Sequence, residues 1–170
     1  MPNWNSWTMP VTTPMAKLIR KSFPKNFVSR RYSSRRVRTH AVWKAAIEAM
    51  AEAVIVTDLA QVVRVWNPAS ERLFGFTAAE AVGQTLAFLI PDRFRATHDA
   101  GFAKAVATST LRVGGRVITT RSNHKDPARK LYVDFSFTLL RDDASNVFGV
   151  MAVGRDATEK FLAARGAQPA

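Results

Sequence analysis

The sequence predicts an α+β fold in which helices pack on one face of a five-stranded antiparallel sheet. Three observations predict it. Two short apolar runs joined by a turn, residues 53–66, indicate a β-hairpin; helix signals occupy residues 67–109; and three stretches suited to strands fill residues 115–154. Because strands, helices and strands follow one another without the regular alternation of parallel α/β folds, we expect an antiparallel sheet covered by helices on one side.

The first 40 residues differ from the rest of the chain in charge. They contain nine of the 25 Lys and Arg residues and none of the 13 Asp and Glu residues, so most of the formal net charge of +12 comes from this segment. The segment also contains four prolines and shows no sustained apolar period. Such a composition buries too little surface to offset ordering entropy, so residues 1–40 are predicted to be a disordered basic arm.

The sequence admits several interpretations of this arm. Clustered arginines release counterions from nucleic acid or from an anionic membrane surface. The clusters available for such contacts are Arg30, Arg31, Arg35, Arg36 and Arg38. The alternatives are a solvated tail, a segment added by an upstream start codon, or an organelle transit peptide, which is also rich in Arg and Ser and poor in acids.

An amphipathic helix is predicted for residues 41–52. Val42, Trp43, Ala46, Ile47 and Met50 recur there at helical spacing. An apolar stripe of this kind needs a partner surface.

The domain proper is predicted to span residues 53–157 and to begin with a hairpin. Its strands are residues 53–57 and 62–66, joined by a turn that starts at Asp58. Asn67 and Pro68 then stop the second strand and begin a helix, because Asn caps free N–H groups and Pro suits the first helical position.

Short helices are predicted after this cap. Residues 69–74 form the first, which ends near Gly75. Thr77 and Glu80 have the spacing of a capping box, in which each side chain accepts from the other's main-chain N–H group. Gly83 ends that second turn.

A longer helix and the remaining strands complete the predicted domain. The helix runs from Pro91 or Asp92 to Ala107, and the strands are residues 115–121, 130–140 and 147–154. The middle strand alternates strictly between apolar and polar residues, which indicates one buried face and one wetter face. Residues 158–170 are predicted to form a short C-terminal helix or tail.

The order of these elements and the motifs at their ends resemble the PAS family over residues 43–160. Residues 53–58 resemble the family's first strand, and residues 65–84 resemble its most recognisable block. The motifs that carry the resemblance are Trp66-Asn67-Pro68, Phe74-Gly75-Phe76, Val82-Gly83-Gln84 and Arg155-Asp156-Ala157-Thr158-Glu159. One departure is Lys125-Asp126-Pro127, where the family usually has Lys-Asp-Gly, because Pro cannot adopt a positive φ.

The resemblance implies a sensory and signalling module rather than an enzyme. Relatives often dimerise, so a homodimer through the helix of residues 41–50 and the outer sheet face is expected. The chain ends ten residues after Lys160, so the output is expected to lie on a separate kinase, cyclase or transcription regulator. We expect a cytoplasmic protein without a membrane span, since no apolar run approaches the roughly 18 residues needed.

The resemblance leaves the cofactor open among haem b, another small ligand and none. The chain contains no cysteine, which excludes the photoadduct of the flavin photoreceptor branch. Residues 90–98 resemble the stretch of oxygen-sensing haem PAS domains in which a helical His ligates iron, which makes His98 the candidate ligand. Phe94 and Phe102 share its helical stripe, and Arg116 falls near the position where some relatives place an Arg beside bound oxygen.

Structural roles are expected for the other polar residues of the motifs. Asp58 and Asn67 suit turns and caps, and His98 itself has the alternative of packing at the helix surface. The sequence shows no paired carboxylates, phosphate loop, nucleophile set or metal-ligand spacing, so no catalytic residue and no metal site other than a haem iron is predicted.

Overall fold

A five-stranded antiparallel sheet forms the centre of the fold, in the strand order β2-β1-β5-β4-β3. The computed structural model describes residues 39–166. The strands are β1 (Ala53–Asp58), β2 (Val63–Trp66), β3 (Ile118–Ser122), β4 (Leu131–Arg141) and β5 (Val147–Asp156). The predicted fold class and strand sequence are therefore confirmed. The hairpin of β1 and β2 joins the meander of β3, β4 and β5 through the pairing of β1 with β5. This pairing runs from Ala53–Gly154 to Asp58–Gly149.

Within residues 39–166, five α-helices and one 3₁₀ helix connect and flank the strands. They are α1 (Thr39–Ala49), α2 (Pro68–Phe74), α3 (Ala78–Ala81), the 3₁₀ helix Leu86–Leu89, α4 (Asp92–Ala107) and α5 (Thr158–Gly166). The predicted ends of α2 and α4 agree with these bounds, and both halves of the Thr77–Glu80 capping box are formed. None of the helices within residues 39–166 has the length and apolarity that a bilayer span requires.

The start of β3 differs from the expectation. The strand begins at Ile118 rather than at residue 115, because the preceding segment turns back on itself. Gly114 donates to the main-chain oxygen of Leu111 and Arg116 donates to that of Val113, both at 3.0 Å. Gly115 has a φ of +74°, a conformation that favours glycine. Arg116 therefore lies in a turn and not in the sheet.

The core lies between the inner face of the sheet and the short helices. Phe74 of α2 is fully buried, with its ring 5.4 Å from Trp66 and 6.4 Å from Phe135. The alternation predicted for β4 is confirmed, since Leu131 and Val133 are fully buried.

Helix α4 covers its part of the sheet only loosely. Ala105 is the one buried residue among its 16. On the inner face of the sheet, Ile118, Phe137 and Leu139 are half-buried. Phe94, which was expected on the apolar stripe, is 41% exposed, so the stripe does not extend to the first turn of α4.

The outer face of the sheet receives α5. The ring of Phe161 stacks on Tyr132 with centroids 4.0 Å apart, and Lys160 lies 3.1 Å from Asp134. The C-terminal segment after β5 is therefore a docked helix as far as Gly166.

Candidate functional site

Asn67 joins three elements of the fold. It is the N-cap of α2, and its side-chain oxygen accepts from the main-chain N–H groups of Val54 at 2.9 Å and Ser70 at 3.0 Å. Its amide group donates to the main-chain oxygens of Ile47 and Glu52, both at 3.0 Å. The expected cap is confirmed, and the same buried side chain also ties the end of α1 to β1 and α2.

Asp58 and Asp156 organise a turn and a helix start. The Asp58 carboxylate accepts from the N–H of Val62 at 3.0 Å and pairs with Arg64 at 2.6 Å. These hydrogen bonds, led by that of Val62, lower the pKa of Asp58. Asp156 accepts from the N–H of Thr158 at 2.9 Å, at the first residue of α5. Both residues have the structural partners expected of turn and cap residues.

Gly75 and Gly83 both have a positive φ, of +80° and +88°, which is a backbone conformation that favours glycine. Gly75 has a second constraint, because a Cβ there would lie 3.0 Å from the ring of His124. No atom lies within 4 Å of the corresponding position at Gly83. Gly75 therefore allows the loop after β3 to approach α2.

His98 and Phe102 lie together on α4, with stacked rings whose centroids are 6.3 Å apart. His98 Nδ1 is 3.4 Å from a carboxylate oxygen of Asp99, which also accepts a hydrogen bond from Gln61. In metal-binding histidines a carboxylate often holds one ring nitrogen in this way and leaves the other for the metal. The donor chemistry at His98 therefore fits a residue that would hold a haem iron through Nε2.

Phe94 and Arg116 are not grouped with this pair. The guanidinium of Arg93 covers the ring of Phe94 at 4.6 Å, on the exposed first turn of α4. The guanidinium of Arg116 donates to the main-chain oxygen of Arg112 at 3.1 Å, within the turn before β3. Of the four residues suggested for a haem pocket, the structure brings two together.

A cleft at the N-terminal end of α4 was not foreseen from the sequence. Its volume is about 600 Å³, and it lies between the 3₁₀ helix, the start of α4, the end of β3 and the following loop. Phe76 and Phe88 form an apolar wall, and Arg93, Arg121 and Arg129 stand around it.

The sequence contained a weak signal for this cleft. Arg121 and Arg129 lie on either side of the segment of residues 122–128, and Arg93 opens the long helix, far from the other two in the chain. Only the closure of the sheet brings them to one edge. The arginines proposed for nucleic acid, Arg30, Arg31, Arg35, Arg36 and Arg38, lie outside the described residues.

Comparison with known sequences identifies a family. A family model described as the PAS fold matches residues 42–157, which is more than half of the chain. The chain is also 31% identical over 78 residues to sensor protein FixL of Bradyrhizobium diazoefficiens. That match covers 45% of this chain and 15% of FixL, so this chain spans a small part of FixL's length.

Comparison with solved structures gives the same fold. The PAS domain of a protein from Colwellia psychrerythraea has a TM-score of 0.60 at 23% identity, with coverage of 69% of this chain and 96% of that one. An RNA-binding light-oxygen-voltage receptor has a TM-score of 0.61 at 23% identity, with coverage of 91% and 39%. The light-oxygen-voltage protein of Rhodobacter sphaeroides scores 0.55 at 15% identity, with coverage of 68% and 65%. With the family model, whose match includes the Asn67 junction and every strand of the sheet, these likenesses establish that the chain belongs to the PAS family.

Proposed function

We propose that this chain is a sensory module without catalysis of its own, which binds a small ligand or a partner protein and relays its state through helix α1. The Asn67 junction carries the proposal. Its side chain bonds to main-chain atoms of β1 and α2 on one side and to the end of α1 on the other. A shift of the sheet or of α2 would therefore reach α1 through hydrogen bonds that are all made by one buried residue.

The exposed apolar side of α1 supports its role as the output surface. Trp43 is 64% exposed and Val42 is 45% exposed, on a helix whose apolar stripe was expected to need a partner. Ile47 and Met50, one turn further on, are half-buried against the domain. A second copy of the chain is the proposed partner, with α1 and the outer sheet face in the interface, and a separate kinase, cyclase or transcription regulator would receive the output.

Light scattering coupled to size exclusion tests this surface. The full chain is expected to elute with the mass of a dimer, and Trp43→Glu is expected to shift it to the monomer because the charge would be buried in the interface. Leu59→Glu is the matched control, since Leu59 is also exposed, at 45%, but lies in the β1–β2 turn. A wild-type chain that stays monomeric at high concentration would argue against the proposal.

A haem-based gas or redox sensor is a second candidate, favoured by the contact of His98 with Asp99 and by the similarity to sensor protein FixL. His98 Nε2 would hold the iron, which would supply gas binding or a redox change, and Asp99 would orient the ring. Protein produced with a haem supply should show a Soret band that shifts or disappears in His98→Ala. A spectrum without that band, or one unchanged in the variant, would exclude ligation by His98.

Nucleic-acid binding through residues 1–40 is a third candidate. It is motivated by the nine Lys and Arg residues of that segment and by the likeness of the chain to an RNA-binding light-oxygen-voltage receptor. Anisotropy of a labelled single-stranded RNA should show binding that weakens steeply with salt and disappears when residues 1–40 are deleted. Equal binding by the deleted chain would refute this role of the arm.

A further inference from the structure

Strand β3 is an open edge of the sheet. Within residues 39–166 its only neighbour in the strand order is β4. The other edge strand, β2, is covered by the segment that follows α3, where the N–H of Val63 donates to Gln84 and the N–H of Gly83 donates to Val63, both at 2.9 Å. An edge strand exposes main-chain donors and acceptors that can pair with a further strand. In the described part of the chain, β3 is the edge at which such a strand could add.

The main-chain groups of Arg121 point away from β4. Arg121 lies opposite Tyr132 in the β3–β4 pairing. The N–H of Tyr132 donates to the hydroxyl of Thr158 at 3.1 Å, and its main-chain oxygen accepts from the N–H of Ala157 at 2.9 Å. Both partners lie just after β5, so Tyr132 directs its main-chain groups away from β3. Arg121 and Tyr132 therefore form one of the pairs of an antiparallel ladder that are not hydrogen-bonded to each other.

Thr119 repeats this arrangement, because alternate residues of a strand direct their main-chain groups to the same side. The N–H and C=O groups of Thr119 and Arg121 therefore face outward, and none of them is hydrogen-bonded to another described residue outside the sheet. Both residues are exposed. Further along, the N–H of Asn123 donates to the main-chain oxygen of Leu89 at 2.8 Å. The open edge therefore ends before Asn123.

The open edge is positively charged. Residues 100–125 contain five Lys and Arg residues and no Asp or Glu. Those that are exposed and form no ion pair with another described residue are Lys104, Arg112, Arg116 and Arg121. The carboxylate opposite β3, that of Asp134, is held by the hydroxyl of Thr119 and by Lys160, which is 3.1 Å away. The positive charge along β3 is therefore left uncompensated.

This charge discriminates among the strands that could pair with the edge. Antiparallel pairing with β3 of a second copy would bring the arginines of both copies together, and the segment of residues 1–40 is basic as well. An extended acidic segment would compensate the charge and supply main-chain partners at the same time. Val117, just before β3, is 64% exposed and favours an apolar residue at one end of that segment.

We propose that the β3 edge binds an extended acidic segment of a partner protein, which adds antiparallel to β3 and pairs with the main-chain groups of Thr119 and Arg121. This surface differs from α1, so the inference goes beyond the proposed function. Self-association through α1 is measured by molecular mass, so failure of one proposal is distinguishable from failure of the other.

Titration of the full chain with a synthetic peptide, followed by ¹H–¹⁵N correlation NMR, tests the proposal. The probe is acetyl-Glu-Thr-Thr-Val-Val-Glu-amide, whose first residue would lie opposite Arg121 and whose third would pair with Thr119. It is expected to shift the amide signals of these two residues. It should also bind about tenfold more tightly than the same peptide with Lys in place of both Glu residues, because two attractive pairs become repulsive.

Methylated peptides test the strand pairing itself. A methyl group on the main-chain nitrogen of the third residue removes an N–H that would bond to Thr119, so binding should weaken about tenfold or more. The same methyl group on the fourth residue, whose N–H would point away from β3, should change the affinity less than about threefold. Equal losses in the two methylated peptides would overturn the proposal.

A charge reversal connects the binding to β3. Arg121→Glu is expected to abolish the preference for the acidic peptide over the lysine peptide, since each peptide then has one attractive and one repulsive pair. Arg72→Glu is the matched control, because Arg72 is exposed on α2 and forms no ion pair with another described residue. It should leave the preference unchanged.

Four results would overturn the proposal. Two are wild-type preference in Arg121→Glu and the absence of shifts at Thr119 and Arg121 at millimolar peptide. A third is protection of these amides that rises with protein concentration in Trp43→Glu without peptide, which would mean that a second copy occupies the edge. The fourth is peptide binding that appears only after deletion of residues 1–40, which would mean that this segment occupies it.

Discussion

The side-chain amide of Asn67 donates to the main-chain oxygen of Ile47 at 3.0 Å, which fastens the last turn of α1 to the domain. Few other contacts hold that helix, because most of its side chains are exposed. The opposite side of the same amide group accepts from β1 and α2. The helix that we propose as the output is therefore hydrogen-bonded to the PAS core through Asn67.

Replacement of Asn67 should destabilise the domain and release α1. In Asn67→Ala, the N–H groups of Val54 and Ser70 lose their shared acceptor in a buried site, so we expect the free energy of unfolding to fall by about 3 kcal/mol. Urea denaturation measures the change. Asn146→Ala, which removes an exposed turn amide bonded to Asp142, should cost less than about 1 kcal/mol. Similar losses in the two variants would contradict the role given to Asn67.

The two left-handed glycines should respond differently to the same substitution. Gly83→Ala is expected to cost about 1 kcal/mol of unfolding free energy from backbone strain alone, since its added methyl group meets open space. Gly75→Ala should cost more, because its methyl group would also lie 3.0 Å from the ring of His124. Urea midpoints of the two variants test this order. A Gly75→Ala variant as stable as Gly83→Ala would show that His124 does not need the space.

The Glu80–Lys125 pair should make stability depend on acid pH. The hydrogen bond from Lys125, at 2.5 Å, together with those from Thr77, lowers the pKa of Glu80 to about 2. Since the folded pKa lies below the unfolded value of about 4.3, the stabilisation is complete above that value and is lost as the pH falls towards 2.

Urea midpoints between pH 6 and pH 2 measure this dependence. Glu80→Gln should unfold at lower urea than the wild type at pH 6 and should approach it as the pH nears 2. Glu159→Gln provides the control, since Glu159 is exposed and forms no ion pair with another described residue. A constant difference between Glu80→Gln and the wild type across this range would contradict the assignment.

Helix α5 should depend on one aromatic contact. It has no buried residue, and Phe161 stacks on Tyr132 with centroids 4.0 Å apart. In Phe161→Ala we expect the amides of residues 159–166 to exchange with solvent faster, by a factor that corresponds to about 1 kcal/mol, while the sheet stays protected. Leu162→Ala, on an exposed position of the same helix, should leave exchange unchanged. Equal effects of the two substitutions would mean that the stack does not hold the helix.

Local patterns in the sequence were enough to predict most of the fold. The alternation along β4 predicts a buried face because side chains point to opposite sides of a strand, and Leu131 and Val133 are indeed buried. Asn67, Pro68 and the Thr77–Glu80 box mark helix starts because their chemistry satisfies N–H groups within a few residues. Strand alternation and helix caps depend on residues only a few positions apart, so they can be recognised in a single sequence.

Features that depend on distant residues could not be predicted in this way. The start of β3 was placed three residues early, since strand propensity at Arg116 and Val117 does not show that Gly115 turns the chain. The stripe through Phe94 and His98 was expected to be buried along the helix, but Phe94 is 41% exposed on the first turn of α4. The cleft was missed because its lining comes from segments that are far apart in the chain.

Amide hydrogen exchange of the full chain, measured at low and at high protein concentration, tests the central claim most directly. If α1 is the surface through which this PAS domain passes its state to a second copy, the amides of residues 41–50 should become protected as concentration rises. Trp43→Glu should remove that protection and leave the sheet unaffected. Exchange in residues 41–50 that is equally fast at all concentrations, in the wild type as in Trp43→Glu, would contradict the account.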